Sequence, residues 1–183
     1  SLGATRVRIL GVDASSKKIA WSIINEGVLE SYGEIFLSEV GGNHRLAATR
    51  RKLEDGLHIF GKIDYIAFEK AVRVRSAATV IVLAEMFGVV KSVLMDLGAP
   101  MVEMEPLVWQ SAIGNPNITG VKKREWLAAH PQFKTKSQIQ RGIREYRKQL
   151  TLDYVEKVTG VKMSNDDLGD ATAIGLVGYQ KMK

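Results

Sequence analysis

The order in which hydrophobic periods follow one another constrains this chain most. Three segments of strand character come first: Arg6 to Asp13 (RVRILGVD), Lys18 to Asn25 (KIAWSIIN) and Val28 to Phe36 (VLESYGEIF). All are rich in β-branched and aromatic residues, and Asn25-Glu26-Gly27 supplies a hairpin turn between the second and third. A helical period then runs from Asn43 to Phe60, with Leu46, Leu53, Leu57 and Phe60 on one face. A strand-length run at residues 63–69, a long apolar helix from Ser76 to Leu97 and a short strand from Met101 to Glu105 follow. Helices fill the remainder: one from Pro106, a basic region over residues 121–159, and a last one from Asp166 to Gln180. Three antiparallel strands followed by helix, strand, helix, strand and more helices predict a layered α/β domain.

At 183 residues the size is that of one domain, 1–183, with a basic helical insertion at about residues 115–150. The chain contains no cysteine, which excludes disulfides, thiolate metal sites and a cysteine nucleophile. The first residues are too few and too polar for a signal peptide, and no uninterrupted apolar run approaches the roughly 18 residues of a membrane span. These features predict a cytoplasmic protein without a membrane partner. The helix over residues 76–97 is apolar around too much of its circumference to pack only on a sheet. Either the carboxy-terminal helices or a second subunit must cover it.

The net charge of +6 is local. Between Lys122 and Lys148 nine Lys and Arg face two Glu, so that segment is +7 and the rest of the chain sums to −1. Such a concentration fits a polyanionic partner or, on its own, a solvated helical face.

Carboxylates decide between these. Asp13 closes the apolar strand Ile9-Leu10-Gly11-Val12, and Glu69 closes Ile66-Ala67-Phe68. Period-two alternation puts Ile9, Gly11 and Asp13 on one face, and Tyr65, Ala67 and Glu69 on one face of the other strand. Asp167 and Asp170, three apart, project to one side of the last helix. Each has a bland alternative. Asp13 can cap the following turn, Glu69 can pair with Lys70 or Arg73, and Asp166 and Asp167 suit a helix start after Ser164 or Asn165. Together, however, several like charges at one sheet edge require a cation. Oxygen donors without His or Cys indicate Mg²⁺ or Mn²⁺, and two such ions cleave phosphodiesters.

At these residues the sequence resembles the RuvC family of Holliday-junction resolvases, within the RNase H-like nuclease superfamily. Ile9-Leu10-Gly11-Val12-Asp13-Ala14-Ser15-Ser16 is similar to its strand-one motif, and Ile66-Ala67-Phe68-Glu69-Lys70 to its strand-four motif. Residues 76–97 resemble its dimer-forming helix, and Asp167-Leu168-Gly169-Asp170-Ala171 its carboxy-terminal D-x-x-D-A. The resemblance implies an RNase H-like fold: a central mixed five-stranded sheet, three strands antiparallel and two parallel, flanked by helices. It implies a homodimeric endonuclease on four-way DNA junctions, with Asp13, Glu69, Asp167 and Asp170 as catalytic ligands of two Mg²⁺ ions, Mn²⁺ substituting. Other branched DNA, such as flaps and forks, or RNA–DNA hybrids are the alternative substrates. Lys136, in Lys136-Ser137-Gln138-Ile139-Gln140, is similar to a family lysine that approaches the scissile phosphate, and Lys122 and Lys123 compete for that role. Arg73, Arg75, Lys122, Lys123, Lys134, Lys136, Arg141 and Arg144 are the expected DNA contacts.

The sequence departs from the pattern twice. The family carries an aromatic residue just past its strand-four glutamate, whereas residues 71–75 here hold none, leaving Arg73 and Arg75 to grip phosphates. The region between Ile113 and Lys136 is also longer, as in a phage-like or divergent branch. Its Trp126 and Phe133 suit either base stacking or the core of a small helical pair. Trp21 and Trp109 read as core. His44, His58 and His130 have no metal-ligand spacing, and Gly41-Gly42 lacks the Lys-Ser/Thr of a P-loop. A sugar-kinase or actin-type ATP site would need a second phosphate loop and about twice this length. A DNA-reading module without catalysis would not need all four acidic positions filled.

Overall fold

The computed structural model describes residues 6–37, 42–70 and 76–183. At its centre is β1 (Arg8–Ala14), hydrogen-bonded on both edges within a five-stranded sheet of order β3-β2-β1-β4-β5. β2 (Lys18–Asn25) and β3 (Val28–Phe36) continue antiparallel on one side; β4 (Tyr65–Glu69) and β5 (Met101–Met104) run parallel to β1 on the other. The β2–β3 turn leaves two residues between strands, Glu26 at φ 51° and Gly27 at φ 82°. Both positive angles match the primed hairpin turn whose twist suits antiparallel strands. β1 is buried on both faces, which is why its sequence is nearly continuous in apolar residues.

The two sheet faces carry different helices. Leu10, Val12, Ile19, Trp21, Ile66 and Phe68 point to one face, against α1 (Gly42–Gly56), a 3-10 turn at Leu57–Phe60, and α2 (Ala77–Met95). Leu46, Leu53, Leu57 and Phe60 all pack there, as the helical period predicts. Ile9, Ala20, Ile24 and Ala67 point to the opposite face, under α6 (Asp166–Met182). α3 (Pro106–Ala112) follows β5 and contributes Trp109 to this second core.

The basic region predicted over residues 121–159 is two helices, α4 (Gly120–Ala129) and α5 (Lys136–Thr159). Pro131 disfavours helical backbone at His130. Thr135 and Gln138 then form a reciprocal capping box that restarts the helix. Gly160, at φ 73°, ends it in the left-handed conformation.

α5 and α6 lie on the sheet face opposite α2, so the carboxy-terminal helices do not cover α2. Met86, Val90, Val93 and Leu94 sink into the core while Ile81 is 60% and Val82 45% exposed. By length and composition this 19-residue helix also passes as a membrane span, contrary to the expectation that none is present, even though Glu85 and Lys91 interrupt it. It links β4 to β5, which are hydrogen-bonded neighbours, so its place is a crossover on the sheet face.

Candidate active site

The site depends on how closely α6 approaches the sheet. A Cβ built on Gly11 would lie 2.4 Å from the Ala171 carbonyl and 2.6 Å from Gly175 N. On Gly175 it would lie 2.7 Å from Ser22 Oγ, and on Gly178 2.7 Å from Ala67 Cβ. Glycines on both sides therefore let helix and strand backbones touch. Ser22 Oγ fastens the contact by donating to the Ala171 carbonyl at 2.8 Å. Asp13 is two residues beyond Gly11 on the same face, and Asp170 immediately precedes Ala171.

Glu69 joins them through strand register. Val12 pairs with Phe68 across the parallel β1–β4 ladder, so Asp13 and Glu69, the next residue on each strand, lie side by side on the α6 face. α6 starts at Asp166 because Asn165 Oδ1 caps it, accepting from Leu168 N at 2.9 Å. Asp166 and Asp167 then occupy its first turn, the predicted dipole-complementing arrangement, and Asp170 follows one turn on. Asp13 does not cap its turn: Ser15 Oγ accepts from the Lys17 and Lys18 amides instead.

These carboxylates disturb one another. Burial pushes Asp13 well above the ordinary carboxylate range, and the charges of Glu69, Asp167 and Asp166 push it further, against the pull of Lys18. Burial, with the charges of Asp13, Glu69, Asp166 and Asp167, raises Asp170 to about 9. Glu69 is also raised by burial, while a hydrogen bond from Trp109 Nε1 to its Oε2 at 2.7 Å opposes the shift. Trp109 is 1% exposed, so the indole holds Glu69 from a fixed position. Carboxylates perturbed by burial and by one another in this way are candidates for a functional site.

Two lysines reach the rim. Lys18 Nζ lies 2.6 Å from Glu34 and 2.9 Å from Asp167, and Lys148 Nζ 3.1 Å from Asp166. Asp13, Glu69 and Asp170 have no salt-bridge partner among the described residues. Their oxygen-only chemistry fits Mg²⁺ or Mn²⁺, whose charge would relieve the repulsion that raises Asp13 and Asp170. Among the described residues no three such donors already converge as a finished cage.

The predicted lysines form no ion pair with these carboxylates among the described residues. Lys122 and Lys123 are exposed on α4; Lys134, Lys136, Arg141 and Arg144 are exposed at and along the start of α5. Lys136 is twelve residues before Lys148, roughly 18 Å along the helix axis at the usual rise. Arg73 and Arg75 lie outside the described residues. Lys18, Glu34 and Trp109 were not expected at the site. Alternation puts Lys18 on the face of Ala20 and Ser22, next to Asp13 across the β1–β2 pair, so the strand pattern already carried that signal.

The α4–α5 arm has its own small core. Trp126 stacks on His130 at 4.2 Å and on Phe133 at 5.4 Å between ring centroids. Gly142 admits the rings, since a Cβ there would meet Trp126 at 2.9 Å. Trp126 is therefore a packing anchor, and His130 is half-buried within the stack. Arg147 ties the arm to the domain, donating to Gln110 Oε1 at 2.6 Å, Asn117 Oδ1 at 2.8 Å and the Asn115 carbonyl at 3.0 Å.

No protein-family profile and no curated protein sequence matches the chain. Among solved structures, Thermus thermophilus RuvC in complex with a Holliday junction substrate superposes with a TM-score of 0.67 at 16% identity, covering 96% of each chain. A second T. thermophilus RuvC structure gives 0.64 at 15% identity, again over 96% of both. The chain thus has the fold of the RuvC resolvases, the RNase H-like mixed sheet with helices on both sides that the sequence resemblance implies.

Proposed function

We propose that this protein is a metal-dependent endonuclease that resolves four-way DNA junctions as a homodimer. The observation that carries this reading is the electrostatic coupling of Asp13, Glu69 and Asp170, half-buried and with no ion-pair partner among the described residues, with Asp167 at their rim. Those four residues would hold the divalent ions. Such ions supply an activated water and stabilise the leaving oxygen in phosphodiester hydrolysis. The protein's part is to hold the acceptors rigid. Glu69 is oriented by Trp109, and Asp13 and Asp170 by the glycine-lined contact of β1 with α6.

Substrate binding falls to the arm, where Lys122, Lys123, Lys134, Lys136, Arg141 and Arg144 are exposed. Six exposed cations on one helical pair suit phosphate contacts that position a duplex without reading sequence. The second subunit would dock on α2, whose Ala77, Ala78, Ile81, Val82, Ala84 and Gly88 are exposed. A Cβ on Gly88 meets nothing within 4 Å, so a partner helix has room to approach.

The test is cleavage of an end-labelled immobile junction in Mg²⁺, beside linear duplex, a flap and an RNA–DNA hybrid, with Ca²⁺ as a binding control. Paired symmetric nicks on the junction, absent in Asp13→Asn, are expected. Cutting mainly the flap or hybrid would overturn the substrate but keep the site. Binding without cutting in any metal would overturn the nuclease reading.

A further inference from the structure

The carboxylates at this end of the sheet fall into two groups. Asp13, Glu69 and Asp170 have no ion-pair partner among the described residues, whereas Asp166 is held by Lys148 and Asp167 by Lys18. The Lys18 contact belongs to a closed ring of interactions. Lys18 Nζ bridges Glu34 Oε2 and Asp167 Oδ2 at 2.6 and 2.9 Å, and Glu34 Oε1 accepts from Asn165 Nδ2 at 2.9 Å. Asn165 in turn caps the helix that carries Asp167. Lys18 on β2 and Glu34 on β3, on adjacent strands of the sheet, thus tie down the amino terminus of α6. Lys18 is only 24% exposed, so its ammonium is held in place rather than sampling solvent.

We propose that Lys18 is a positioning residue that competes with a divalent ion for Asp167, so that the site takes up its two ions in order. This inference rests on the metal-site reading above. The unpaired set of Asp13, Glu69 and Asp170 accepts an ion without displacing any protein cation. Asp167 becomes a ligand only when the Lys18 ammonium gives up its contact, and that exchange weakens the second ion. Lys18 stays tethered through Glu34 when it does so, which keeps its charge at the rim. In the metal-free protein the same ammonium offsets part of the repulsion among the acidic residues. Competition of this sort is reciprocal: the lysine contact weakens the ion by the same factor as the ion weakens the lysine contact.

Calorimetric titration of the protein with Mn²⁺, without DNA, reads this directly. Wild type is expected to show a stronger and a weaker ion. In Lys18→Met the weaker ion should tighten by about tenfold, the scale of one close charge pair partly screened by solvent. Lys18→Arg should restore wild-type binding, which a merely structural role for the aliphatic stem would not require. Thermal melting in EDTA supplies a second readout: Lys18→Met should melt lower than wild type, and Mn²⁺ should raise its melting temperature by more. If Lys18→Met fails to fold, Lys18→Gln takes its place in the same titration.

Unchanged affinities for both ions in Lys18→Met, with wild type binding two, would overturn the proposal and leave the metal site standing. Weaker rather than tighter binding of the second ion would also overturn it. Wild type that takes up no Mn²⁺ would sink the metal-site reading itself, and this inference with it.

Discussion

Gly11 of β1 and Gly175 of α6 meet backbone to backbone: a Cβ on Gly11 would lie 2.6 Å from Gly175 N. The neighbouring atoms are main chain, so the structure cannot relax around an added methyl by rotating a side chain. Gly11→Ala is expected to destabilise the protein by about 1–3 kcal/mol, the usual scale for overpacking. Because α6 must move away from β1, Asp170 would move from Asp13 and cleavage should fall as well. Denaturant melts beside a junction-cleavage assay check both effects; an unchanged melt would contradict the close approach.

Asp170 predicts a dependence of stability on pH. Its folded pKa, about 9, lies above the ordinary 3.8. Between those values the folded state binds more protons than the unfolded state, so stability falls as pH rises through that window. In EDTA the melting temperature should therefore be lower at pH 8 than at pH 5. Asp170→Asn should melt higher than wild type at pH 8 and show a flatter profile, while losing cleavage. A mutation that stabilises and inactivates together is the signature of a site strained for function.

Trp109 tests how Glu69 is held. Trp109→Phe removes the indole donor and leaves Glu69 Oε2 without its hydrogen bond. Hydrogen bonds to charged groups are worth about 1.5–3 kcal/mol. The expected result is slower cleavage, with kcat falling more than KM rises, and weaker Mn²⁺ binding by calorimetry. Equal kcat in the two proteins would show that Glu69 needs no such orientation.

The basic arm predicts salt dependence. Junction binding in Ca²⁺ should weaken by orders of magnitude between low and moderate salt if six or more phosphates are contacted. Replacing Lys134, Lys136 and Arg141 together with Gln should lower the slope of log affinity against log salt by about 1 for each phosphate no longer neutralised. Fluorescence anisotropy at several salt concentrations measures it. The melting temperature should stay put, since all three side chains are exposed.

On α2, Ile81 is 60% exposed on a face that no helix among the described residues covers. Ile81→Asp should turn a dimer into a monomer by sedimentation without lowering the melting temperature of the monomer. A wild type that sediments as a monomer at micromolar concentration would remove the second subunit from the reading.

Local signals carried much of this in the amino-acid sequence. Alternation and a two-residue turn set β2 and β3 at the residues where they occur, and the same period put Asp13 and Glu69 on matching faces before any sheet was known. Helical spacing did the same for Asp167 and Asp170. What lay beyond local pattern was which distant groups those carboxylates meet. Trp109 reads as core and is core, yet its one polar atom ends on Glu69. Lys18 reads as a strand-end lysine, yet it bridges β3 and α6. Asp167 and Asp170 read alike as ligands, but Lys18 pairs with Asp167, and Asp170 has no ion-pair partner among the described residues. The fate of the arm aromatics and of the uncovered α2 face was equally open. Periodicity reports which face a residue occupies, because that depends only on backbone repeat. Which charge it is paired with depends on how closely elements far apart in sequence approach, and here a few glycines between α6 and β1 decide that distance.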